Sequence, residues 1–162
     1  MNLADVSTVV LVIVGLLLVF VAWWLAVAGL FPRLVEGCAE KLGTAPLVCW
    51  LIGLACAVPL IFGGIALGNA VPSAAGSIVR GAIILGTIFA ALTGTAGLAL
   101  RIGRGLPAER DASEPWRRIL RGAIVLALTY LTLIWLPLTL MAGLGALVRL
   151  GFGRRPAGAI VA

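Results

Sequence analysis

The stretch that decides the fold is residues 9–30, VVLVIVGLLLVFVAWWLAVAGL, which contains no charged residue. As a helix this run is about 33 Å long, which exceeds the roughly 30 Å hydrocarbon core of a bilayer. Trp23-Trp24 is typical of an interfacial anchor, and no basic residue precedes the run. These features favour a membrane-spanning helix over a signal peptide, even though Ala26-Val27-Ala28 fits a cleavage site.

The rest of the chain has the same apolar character. Of its 162 residues, 62% are hydrophobic and only 11% are charged, too few to cover a soluble globule. Three more apolar runs lie at about 46–69, 78–100 and 119–148. The sequence therefore predicts an all-α integral membrane protein, a single transmembrane domain of four helices in a bundle, with polar links at 31–45 and 101–118.

The basic residues predict how these four spans are oriented. The loop side carries eight basic residues, and the side of the two termini carries four, Arg80, Arg149, Arg154 and Arg155. The positive-inside rule then places the links 31–45 and 101–118 in the cytoplasm and both termini outside. The eight on the loop side are Arg33, Lys41, Arg101, Arg104, Arg110, Arg117, Arg118 and Arg121.

The first link has an amphipathic helical pattern between Arg33 and Gly43. Leu34, Val35, Cys38 and Leu42 share one face of such a helix. The favoured interpretation is that the first helix simply continues to the head groups. The alternative is a separate interfacial helix that contacts a partner.

The net charge of +6 does not indicate nucleic acid, because the arginines lie beside apolar runs, where anionic lipids are the expected counter-charge. The basic cluster of the second link has two interpretations. It contacts an anionic lipid or an acidic partner, or it only fixes topology, which is the simpler reading. The candidate contact residues are Arg101, Arg104, Trp116, Arg117, Arg118 and Arg121.

Residues that carry chemistry are scarce in this sequence. There is no histidine, the three cysteines lack CxxC spacing, and every acidic residue lies in a link or near the N-terminus. The residues needed for a metal site, for haem ligation or for Ser-His-Asp catalysis are missing, and no Asp, Glu, Lys or His lies within a span to serve a proton-coupled carrier. We therefore expect no enzyme activity and no cofactor.

Small residues recur at intervals of four along two of the predicted spans. Such stripes let helix backbones approach closely in a membrane. The favoured partner is another helix of the same bundle, and the alternative is a second copy or another subunit. The stripes consist of Cys49, Gly53 and Ala57 in the second span and of Ala82, Gly86, Ala90 and Gly94 in the third.

Short motifs at the edges of the spans carry a family resemblance. They are Phe31-Pro32-Arg33-Leu34-Val35-Glu36, Ala39-Glu40-Lys41-Leu42, Pro46, Gly53-Leu54, Pro59, Gly143-Leu144-Gly145-Ala146-Leu147 and Phe152-Gly153-Arg154-Arg155. Over about Gly15 to Pro156 the chain resembles the hydrophobic membrane tails of bacterial polymer-forming cytoskeletal, or bactofilin-like, proteins. The resemblance implies membrane anchoring or scaffolding without catalysis. Unlike those proteins, this chain is expected to have no soluble β-helical domain before the tail.

These observations lead to one expected function and two alternatives. We expect a non-enzymatic scaffold, anchor or accessory subunit of a larger bacterial membrane complex, bound to other subunits or to itself. One alternative is an oligomeric pore or carrier for a small solute; the other, a lipid-modifying enzyme, lacks an evident nucleophile and base. A pore would be lined by Asn69, Thr87, Thr93, Thr95 or Tyr130.

Overall fold

The computed structural model describes residues 2–70, 74–106, 115–132 and 134–152, and within these ranges every regular element is a helix. Four of the helices are long and apolar enough to cross a membrane: α1, α3, α4 and α6. The predicted all-helical class is thereby confirmed, and so is the number of helices that could cross a membrane. The helices are α1 (Leu3–Leu30), α2 (Pro32–Thr44), α3 (Pro46–Ala70), α4 (Ala74–Gly105), α5 (Pro115–Tyr130) and α6 (Trp135–Phe152).

Two prolines separate α2 from its neighbours. Phe31 (φ −131°, ψ 59°) precedes Pro32 and ends α1. Ala45 (φ −154°, ψ 77°) precedes Pro46 and ends α2. Because proline pushes the preceding residue out of the helical region, the chain turns at both points. The expected continuation of α1 towards the head groups is therefore wrong, and α2 is a separate helix.

The predicted fourth span, 119–148, is two helices rather than one. The N–H groups of Leu131 and Thr132 donate to the carbonyls three residues back, at 3.2 Å each, which tightens the end of α5. Pro137 lies in the first turn of α6, where its missing N–H is tolerated. The break between α5 and α6 thus falls about one turn before Pro137.

The polar links also differ from the predicted boundaries. The link 31–45 consists almost entirely of α2. In the link 101–118, α4 continues to Gly105 and α5 begins at Pro115. Arg110, in the middle of that link, lies outside the described residues.

The contacts of α5 along α4 show that these two helices are antiparallel. Gly103 of α4 lies against the backbone of Arg118, and Gly122 of α5 lies against that of Ala99. The C-terminal end of α4 is therefore beside the N-terminal end of α5.

In contrast, α6 runs parallel to α4. Leu136, at the start of α6, lines a small apolar cavity with Thr87, and further along, Gly143 packs against Ala91 and Thr95. Thr87 is about 27 Å along α4 from its C-terminal residue, at 1.5 Å per residue. Together α5 and α6 thus form a helical hairpin whose tip stops partway along α4 and whose two open ends lie together.

This hairpin puts the two ends of the described chain at opposite ends of the molecule. Trp23 contacts Phe89 and Trp24 bonds Thr95, so α1 also runs parallel to α4. The N-terminal end of α1 then lies at one end and the C-terminal end of α6 at the other. The predicted arrangement, with both termini on one side, assumed a continuous fourth helix and differs from the structure.

Nearly all described basic residues lie at one end of the molecule, which we call the basic end. It is formed by α2, the C-terminal ends of α1, α4 and α6, and the N-terminal ends of α3 and α5. Of the nine described, only Arg80 lies near the opposite end. The eight at the basic end are Arg33, Lys41, Arg101, Arg104, Arg117, Arg118, Arg121 and Arg149.

Candidate functional site: a cleft at the basic end

Glycines in the centre of the bundle let α6 pack directly on α3 and α4. A methyl group at Gly53 would overlap the carbonyl of Met141, and one at Gly94 would overlap the carbonyl of Gly143. Ala57 is buried in the same region. These members of the two small-residue stripes thus face other helices of this chain.

The outer part of the α4 stripe is placed differently. Ala82 and Gly86 are exposed, and Ala90 is half-buried. A side chain at Gly86 would meet nothing within 4 Å. The stripe therefore divides into an inner part packed within the chain and an outer part that faces the surroundings.

A buried polar cluster, formed by Trp24, Thr95, Tyr130 and Thr139, joins four helices beside these contacts. Trp24 Nε1 donates to Thr95 Oγ1 at 2.9 Å, and the hydroxyls of Tyr130 and Thr139 are hydrogen-bonded at 3.0 Å. Phe20 packs edge-on against Tyr130, with ring centroids 5.6 Å apart. These hydroxyls hold α1, α4, α5 and α6 together, a role that the sequence pattern did not reveal.

At the basic end, a cleft of about 450 Å³ opens between the α1–α2 corner, the end of α4 and the start of α5. Its walls are mostly apolar and include Leu25, Ala28, Leu100 and Ile119. The antiparallel pairing of α4 with α5 forms one side, and the turn at Pro32 forms the other. The cleft thus depends on the antiparallel pairing of α4 with α5 and on the turn at Pro32.

One part of the cleft lining is polar. Arg104, Arg118 and Glu36 line it, and Arg104 Nη2 lies 3.9 Å from Glu36 Oε1. Trp116 also lines the cleft, and the guanidinium of Arg117 lies 5.6 Å from its ring centroid. This arrangement combines an apolar interior with guanidinium groups at its rim.

The structure brings together only part of the predicted contact set. Arg104, Trp116 and Arg118 line the cleft. Arg101 lies beside Gly43 at the end of α2 instead. Arg117 and Arg121 are on α5 outside the cleft lining. Sequence analysis did not connect Glu36 with this group, because nothing in the sequence indicates that α2 folds back beside α4.

The Cys38 thiol is not activated as a nucleophile. Burial, with a smaller contribution from nearby Cys49, raises the pKa of Cys38 to about 11, so this thiol is protonated at neutral pH and lacks the reactive thiolate. Within the described ranges, no group of three or more His, Cys, Asp or Glu residues is placed to hold a metal ion. No known protein family, curated protein or solved structure matches the chain.

Proposed function

We propose that this chain is a multi-pass protein of the bacterial inner membrane that acts without catalysis, as a scaffold, anchor or accessory subunit of a larger complex. The observation that carries this proposal is the surface of α1. Leu11 is 75% exposed, and its apolar neighbours from Val6 to Val19 are largely exposed as well. The C-terminal half of α1, from Leu17 onwards, packs against the core, which leaves the N-terminal half for a helix of another subunit.

The closed interior supports a structural role rather than transport by one copy. Backbone contacts at Gly53 and Gly94 fill the space between α3, α4 and α6, and the hydroxyls of Thr95 and Tyr130 are used in interhelical bonds. In the described part of the chain, charged residues lie within about two turns of a helix end. Ion-coupled carriers need ionisable groups near the middle of the membrane, so this distribution does not favour ion-coupled transport.

The charge distribution supports an orientation with the basic end in the cytoplasm. The positive-inside rule weighs the eight described basic residues there against Arg80 at the opposite end. Arg154 and Arg155 lie outside the described residues. The N-terminal end of α1 is then outside, and the C-terminal end of α6 is inside.

One observation favours an oligomeric pore or carrier as a second candidate. The break at 131–134 lies between two largely apolar helices, and broken helices often form solute sites in transporters because they free backbone carbonyls. This candidate predicts solute flux by the purified protein. Sealed vesicles that contain the protein alone, loaded with a small dye or ion, would leak faster than empty vesicles.

Site-specific photo-crosslinking in living cells tests the scaffold proposal. A benzophenone amino acid replaces Leu11 on α1, and in the matched control it replaces Phe62, which is 66% exposed on α3. We expect a discrete protein adduct from position 11 and none from position 62. Lipid adducts alone at position 11, or flux in the vesicle assay, would contradict the scaffold proposal.

A further inference from the structure

We draw no further inference here: the strongest candidate, the cleft at the basic end between the α1–α2 corner, the end of α4 and the start of α5, has mostly apolar walls, and nothing in the described part of the chain shows what covers them.

Discussion

At Gly94, α4 and α6 meet backbone to backbone. A side chain there would overlap Gly143, whereas a side chain at Gly86, two helical turns away, would meet nothing. We expect Gly94→Leu to destabilise the protein by about 1–3 kcal/mol, the usual cost of overpacking. We expect Gly86→Leu, the control, to stay within about 0.5 kcal/mol of the unmodified protein. Thermal unfolding in detergent measures both, and equal losses would show that both glycines contact protein.

Thr95 accepts the hydrogen bond from the buried indole of Trp24. Thr95→Val keeps the shape of the side chain but leaves that N–H without its acceptor, so we expect a loss on the order of 1 kcal/mol, as for interhelical hydrogen bonds in membranes. Thr93→Val is the control, since the Thr93 hydroxyl donates only to the carbonyl of Phe89 within its own helix. If both variants have the same unfolding temperature, the Trp24–Thr95 bond contributes nothing.

Trp24 shows where prediction from the sequence reaches its limit at this scale. The pair Trp23-Trp24 predicts an interfacial anchor, yet Trp24 is 0% exposed and packs against Phe20 and Tyr130. The pattern gives the residue type but not its neighbours, because Tyr130 is more than one hundred residues away in sequence. Likewise, the regular spacing of small residues along α4 does not reveal that Gly94 is covered by α6 whereas Gly86 is not.

Among the elements, α2 packs on the bundle through the apolar face that its sequence pattern indicates. Val35, Cys38 and Leu42 are buried, whereas Glu40 is exposed. We expect Leu42→Ala to cost about 2–5 kcal/mol, as for other buried leucines, and Glu40→Ala to have little effect. Unfolding in detergent distinguishes them. A negligible effect of Leu42→Ala would mean that α2 lies on the lipid surface rather than on α4 and α6.

The hairpin of α5 and α6 is the element that is least predictable from the sequence. The break at 131–134 contains no charged residue, glycine or proline, so hydropathy runs through it without interruption. Pro137 is the local signal, but membrane helices tolerate proline, as α3 does at Pro59. The direction of α6 is decided by long-range packing of Gly143 and Gly145, which a single sequence does not specify.

Over the whole molecule, the hairpin resolves a conflict in the charge pattern. If the chain crossed the membrane four times, Arg149, Arg154 and Arg155 would lie on the side opposite to the arginines of the links. With α6 parallel to α4, Arg149 joins the basic end. The sequence was sufficient for the helical class and for the first three candidate spans. The division of the fourth and the cleft between α1, α2, α4 and α5 depend on helix directions that a single sequence does not specify.

The most direct test of this account is the sidedness of the two ends of the chain in intact bacterial cells. Single cysteines at Asn2, Thr44 and Gly151, with Cys38, Cys49 and Cys56 replaced by alanine, are exposed to a membrane-impermeant maleimide. The proposed orientation predicts labelling of Asn2→Cys in intact cells, and of Thr44→Cys and Gly151→Cys only after the membrane is opened. Labelling of positions 2 and 151 from the same side would contradict the α5–α6 hairpin and restore a continuous fourth crossing.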